Sequence, residues 1–265
     1  MNDLDIALEA ASAGAEIALT RRGGPLTRTG KAGADFATDV DTDLERAIVD
    51  LIHRERPDDA IQGEEFGLTG PPNAERLWLI DPLCGTLNYA SGSPSFAINI
   101  ALTMGDDVLA AAVAEPAADA VYFTDGQGAL RRSGGADHPL RPSPLSRLIE
   151  VHLETADPDS FGFSSTRYLR SSTFETLSAR YLGTGLPLAW VATGQRAGFV
   201  IPDRRAKSVH FTAGIGLCRA AGCVLTNLRG EPLRLDDDGM VVAADQATHD
   251  LMMAGIAEQL HAGTR

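Results

Sequence analysis

Basic residues, cysteines and long apolar runs are all scarce in this chain of 265 residues, and each scarcity excludes something. Against 36 acids there are 23 Lys plus Arg, a formal charge of −13 that would repel a phosphate backbone and so argues against nucleic-acid binding. The three cysteines, Cys84, Cys218 and Cys223, are odd in number and lack C-x-x-C spacing, which implies neither a disulfide framework nor a zinc ribbon. No apolar run approaches the roughly 20 residues of a spanning helix, and the first ten residues, MNDLDIALEA, carry acids where a secretory signal needs basic residues. The expectation is a cytoplasmic protein without membrane partners. What is abundant is ordinary for a folded globular protein: 44% hydrophobic residues, 27 Gly and 14 Pro without a low-complexity tract.

Leu4, Leu8, Ala11, Ala15 and Leu19 recur at helical spacing before the Arg21-Arg22-Gly23-Gly24 stop. Leu44, Ile48, Leu51 and Ile52 mark a second helix ending before Pro57. Between them, Asp35-Phe36-Ala37-Thr38-Asp39-Val40-Asp41 places three acids just upstream of that second helix, more than capping explains. Short strand-type runs follow at 77–80, 96–102, 108–113, 121–124 and 148–153, without long helices between them, so the first half reads as helices on a largely antiparallel sheet. Residues 131–147, rich in Gly and Pro, read as a loop joining an N-terminal α+β lobe, 1–140, to a smaller mixed α/β lobe, 141–265. In the latter the pattern predicts a helix at 172–182, a strand at 198–201, a helix at 208–221, a strand at 222–226 and a helix at 246–260.

Two stretches carry chemistry. Gly63-Glu64-Glu65 pairs acids after an apolar start. Trp78-Leu79-Ile80-Asp81-Pro82-Leu83-Cys84-Gly85-Thr86-Leu87-Asn88 is a buried-type strand that ends in an acid, turns at proline and reopens at Gly-Thr. Such a turn directs backbone N–H groups toward an anion, and an acid beside a bound phosphate requires a metal ion to reconcile the charges.

These segments, with Val209-His210-Phe211-Thr212-Ala213-Gly214, Glu115-Pro116 and Gly126-Gln127-Gly128-Ala129, resemble the inositol monophosphatase family through most of the chain and in the same order. The resemblance implies an α+β fold, a layered αβαβα sandwich, and a phosphomonoesterase that uses Mg²⁺ to activate water and neutralise the leaving alkoxide. It implies Glu64, Asp81 and the Leu83 carbonyl as ligands of a first metal. It also implies Thr86 and Asp41 as the pair that orients water, the Gly85 and Thr86 amides as a phosphate cradle, Asp203 as a contact for a substrate hydroxyl, and a homodimer. Arg204, Arg205 and Lys207, which follow Asp203, read chiefly as a solvated basic run.

The departures are concentrated. Where the family holds a second metal with three aspartates, this chain has Asp81, Cys84 and His210, and thiolate and imidazole are poor ligands for Mg²⁺. Leu188 stands where the family has a polar residue, which weakens inositol phosphate as the substrate. The leading expectation is an enzyme acting on a small polar, phosphorylated polyol, sugar or nucleotide, with weak Mg²⁺ at the first position or a softer ion such as Zn²⁺ at Asp81, Cys84 and His210, or no ion. A second is an acyl- or group-transfer enzyme using Cys84 as nucleophile and His210 as base. A third is a silent family member, although drift would scatter its damage and here both losses fall on one metal position. Cys218 and Cys223 read as buried inert thiols, and His53, His138, His152, His249 and His261 as surface residues.

Overall fold

The computed structural model describes residues 1–31, 36–153, 163–202 and 207–262 and is an α+β protein. The chain divides into two compact units, the first made of Met1–Pro139 with Thr184–Leu186 and Ser208–Leu217, and the second of the remainder. The first unit thus recruits two short segments from beyond residue 140.

In the first unit, α1 (Asp3–Arg21) and α2 (Asp39–Glu55) pack on a sheet. Its strands are β3 (Ala60–Gly63), β4 (Leu68–Thr69), β5 (Arg76–Cys84), β6 (Ala97–Met104), β7 (Asp107–Glu115), β8 (Ala120–Thr124), β9 (Ala129–Ser133) and β10 (Ala136–Pro139), in the order β10-β9-β8-β7-β6-β5-β3-β4. Only β3 and β5 pair in parallel. A small ribbon of β1 (Arg28–Gly30) and β2 (Phe36–Thr38) leads into α2, and α3 (Thr86–Ala90) follows β5. The alanines Ala7, Ala10 and Ala11 and the glycine Gly14 let α1 lie close to the sheet; a side chain at Gly14 would meet Ile98 at 3.2 Å. Trp78 is fully buried in this core, and its indole N–H donates to Asp59 at 2.8 Å.

The second unit contains β11 (Leu148–Val151), α4 (Ser165–Tyr168), β12 (Ser178–Arg180), β13 (Gly198–Ile201), β14 (Val224–Thr226), β15 (Met240–Ala243) and α7 (Gln246–Ala262), with the sheet order β12-β11-β13-β15-β14. Two helices, α5 (Leu186–Ala192) and α6 (Thr212–Ala221), have residues in both units. Ile149, Val151, Phe163, Tyr168, Val200, Met252 and Ile256 form part of its core.

Three expectations are corrected. Residues 131–139 form a hairpin rather than a loop: Ser133 pairs with Ala136 across Gly134-Gly135, both of positive φ, the backbone a two-residue hairpin turn requires. Residues 172–182 hold a 3₁₀ turn, Ser172–Glu175, and then β12, because Ser178–Arg180 finds a parallel partner in β11. His152 and His249 are buried, while His53 and His138 are exposed. The His249 ring Nε2 lies 2.8 Å from the Thr226 hydroxyl, and its spacing to Met252, Met253 and Ile256 places it on the apolar face of α7. Cys218 is buried and Cys223 half-buried; both are free thiols.

Candidate active site

The site of the first unit is assembled at the end of β5, where the strand leaves regular pairing. Asp81 faces Asn99 and Cys84 faces Ala97, so three steps on β5 match two on β6. The extra residue falls at Pro82-Leu83, where proline has no N–H for the ladder. This bulge places Asp81 and Cys84 together, and with His210 their ligand atoms lie within 4.8 Å of one another. Gly85 then turns the chain at φ 95°, a conformation that favours glycine, into the five-residue α3.

The Asp41–Thr86 pair is built from a helix cap. Asp41 is the third residue of α2, and its Oδ2 accepts the backbone N–H of the N-cap Thr38 at 2.8 Å and the Thr38 hydroxyl at 2.5 Å. Its Oδ1 accepts the Thr86 hydroxyl at 2.8 Å. The Leu83 carbonyl lies 3.1 Å from the same hydroxyl, which has a single proton. The carboxylate is the nearer and stronger acceptor, so the carbonyl keeps acceptor capacity for a cation. Burial pushes the Asp41 carboxyl above its ordinary value, against the hydrogen bonds from Thr38 and Thr86.

Asp81 is wholly buried, and its Oδ2 lies 2.6 Å from the His210 Nδ1, whereas Oδ1 is buried without a hydrogen-bond partner among the described residues. Burial alone would raise this carboxyl; the charge and hydrogen bond of His210 outweigh it and hold Asp81 below its ordinary value. Asn99, opposite Asp81 on β6, donates to the His210 carbonyl at 3.2 Å, so one pair of facing strand residues fixes both ends of His210. Of the trio, His210 is the reachable member, its side chain 31% exposed. The Cys84 sulfur accepts the Gly185 N–H at 3.0 Å, and a side chain at Gly185 would approach the His210 carbonyl to 2.4 Å. Burial and the Asp81 charge push the Cys84 thiol well above its ordinary value, the opposite of an activated nucleophile.

Glu64 follows β3, and burial together with the Asp81 charge pushes it up to about 8, against the pull of His210 and Lys31. Lys31 bridges Glu64 Oε1 at 2.8 Å and Glu65 Oε1 at 2.6 Å. Two residues here escaped sequence reasoning. Lys31 is one of only two lysines in the chain, and its rarity was a usable signal. Glu45, one helical turn after Asp41, is fully buried. Asp203, Arg204 and Arg205, and Asp35 of the acidic segment, lie outside the described residues.

The donor types differ across the site. Glu64, the orphaned Asp81 Oδ1 and the Leu83 carbonyl are hard oxygens suited to Mg²⁺. Asp81, Cys84 and His210 supply one oxygen, one sulfur and one nitrogen, which do not suit it and do suit Zn²⁺.

Residues 2–262 match the profile of the inositol monophosphatase family. The chain is 34% identical over 229 residues to an inositol-1-monophosphatase, ImpA, of Mycolicibacterium smegmatis, covering 84% of this chain and 80% of the relative. Among solved structures, an inositol monophosphatase from Anabaena is 26% identical with a TM-score of 0.76, covering 98% of this chain and 97% of that one. An IMPase from Thermotoga maritima shares the fold at 23% identity, with a TM-score of 0.83 and 99% of each chain covered. Among the described residues, no helix is long and apolar enough to cross a membrane.

Proposed function

Because the chain belongs to the inositol monophosphatase family, we propose that it hydrolyses the phosphate monoester of a small polar polyol, sugar or nucleotide at a site whose second metal position has been remodelled. The observation that carries this reading is the intact Asp41–Thr86 hydrogen bond of 2.8 Å, with the Leu83 carbonyl 3.1 Å from the same hydroxyl. The helix cap accounts for the bonds from Thr38, whereas the bond from Thr86, 45 residues away, is not part of the cap and joins α2 to the turn after β5.

In this reading water attacks phosphorus, the ester P–O bond breaks, and the products are an alcohol and inorganic phosphate. Thr86 and Asp41 hold the attacking water and take up its proton at the carboxylate. The Gly85 and Thr86 amides bind the phosphate oxygens. Glu64, Asp81 and the Leu83 carbonyl would hold Mg²⁺, which when bound supplies Lewis-acid stabilisation of the phosphoryl charge. Asp81, Cys84 and His210 would hold a softer ion such as Zn²⁺. The competing group-transfer reading asks for a Cys84 thiolate, which burial and the Asp81 charge disfavour.

The test is phosphate release from a panel of polyol, sugar and nucleotide monophosphates with Mg²⁺ alone and with Mg²⁺ plus Zn²⁺. Inositol monophosphate with Mg²⁺ alone should turn over below about 1 per second. Cys84→Ala and His210→Ala should each cost as much as the double variant, since both serve one centre. Fast alkylation of Cys84 by iodoacetamide near neutral pH in chelator-treated protein, slowed by His210→Ala, would favour the group-transfer reading instead.

A further inference from the structure

Beyond the water-orienting and metal-facing groups, one buried carboxylate ties two of them together. Glu45 lies on α2 four residues after Asp41, so the two share a helix face. It is fully buried, and its Oε2 accepts the Glu65 N–H at 2.8 Å while its Oε1 accepts the Phe66 N–H at 2.7 Å. These are the amides immediately following Glu64. The same carboxylate explains why residue 63 is glycine. A side chain there would come within 1.9 Å of Glu45 Oε1 and 2.4 Å of Cδ. The loop closes behind it through the Gly63 N–H donating to the Gly67 carbonyl at 3.0 Å.

Burying a carboxylate is costly unless its hydrogen bonds are made, and here they are made to the loop that carries Glu64 rather than to the helix that carries Glu45. We propose that Glu45 is a positioning residue: it fixes the Gly63–Phe66 backbone against α2, so that the Glu64 carboxylate is set for a divalent cation relative to Asp41. The proposal rests on the reading above in which Glu64 is a metal ligand. Both Glu45 oxygens are engaged by the Glu65 and Phe66 N–H groups, so it acts through the loop.

The test uses the full chain and Mg²⁺ itself as the probe, comparing wild type with Glu45→Gln. Glutamine keeps the shape but puts an NH₂ where one backbone N–H needs an acceptor. Mg²⁺ affinity by titration calorimetry should weaken about 10- to 100-fold, the usual cost of removing a group that orients a ligand. The Mg²⁺-induced rise in thermal midpoint should shrink with it, and kcat should recover at saturating Mg²⁺. If Glu45→Gln fails to fold, Glu45→Asp, which keeps the charge but withdraws it by one methylene, is read in the same way. A lower thermal midpoint with unchanged Mg²⁺ affinity overturns the proposal and leaves Glu45 a structural residue. Wild type that binds no Mg²⁺ overturns both this proposal and the metal reading of Glu64. Wild type that binds Mg²⁺, with affinity lost in the variant but no phosphate released from any ester, supports the positioning role while the proposed hydrolysis fails.

Discussion

The Asp41–Thr86 side of the site and the Asp81–Cys84–His210 corner share one bulged strand end, yet they obey different chemistry. On the first side both carboxylate oxygens are hydrogen-bonded, one by the Thr38 N–H and hydroxyl and the other by the Thr86 hydroxyl. In the corner a carboxylate oxygen is orphaned, a thiol is buried, and an imidazole is the reachable group. The difference teaches that one strand end can present two donor chemistries on a single frame. The bulge and Gly85 set positions through backbone geometry, and the Asn99 side chain holds the His210 backbone.

Asp81 is the point where the two sides meet, so its removal is expected to have the largest effect. Asp81→Asn should lower kcat/KM about a thousandfold or more, because it weakens a metal donor and the anchor of His210 together, and each 1.4 kcal/mol is tenfold. A near wild-type rate in a phosphate-release assay would show that the two sides work independently. Thr86→Val keeps the volume and deletes the hydroxyl that Asp41 accepts. Phosphate release should fall about a hundredfold, at the low end for a lost proton-transfer arrangement, with Mg²⁺ affinity little changed. Converting the corner to the oxygen chemistry of the other side, Cys84→Asp with His210→Asp, should raise Mg²⁺-dependent hydrolysis of inositol monophosphate about tenfold or more, and calorimetry should then count two Mg²⁺ ions against one expected for the wild type.

The smallest effect lies outside the site and shows how the second unit handles a buried acid. Glu150, 2% exposed, receives Arg196 at 3.0 Å, but burial outweighs the arginine and raises its carboxyl above the ordinary value. A group raised on folding adds most to stability below its unfolded pKa, and that contribution is lost as pH rises through the folded value. The thermal midpoint of wild type relative to Glu150→Gln should therefore fall as pH rises from the ordinary glutamate range. A difference that grows with pH would mean that Arg196 dominates.

Much of the frame was legible because it follows from local rules. Periodicity marked α1 and α2, and the run from Trp78 to Asn88 announced a strand, a turn and a helix start. The hairpin at 129–139 was missed because glycine and proline richness resembles a loop until the turn type is considered. Residues 172–182 were misread because a strand of three residues exists only through its partner β11. His249 was misread although its spacing to Met252 and Ile256 marks the apolar face of α7. Lys31 and Glu45 were missed because a lone cation or a helix acid carries no motif.

By itself the sequence determined the family, the α+β class and the residue types at the changed corner, since these depend on ordered motifs and short-range pattern. It could not determine that Asp81 holds His210 across 129 residues, that the Cys84 thiol is buried against the Gly185 amide, or that Glu45 occupies the space that forces glycine at 63. Those facts depend on distances between segments far apart in the chain. Only tertiary packing, by excluding water and bringing charges within a few ångströms, decides which of these groups ionise and which can meet an ion.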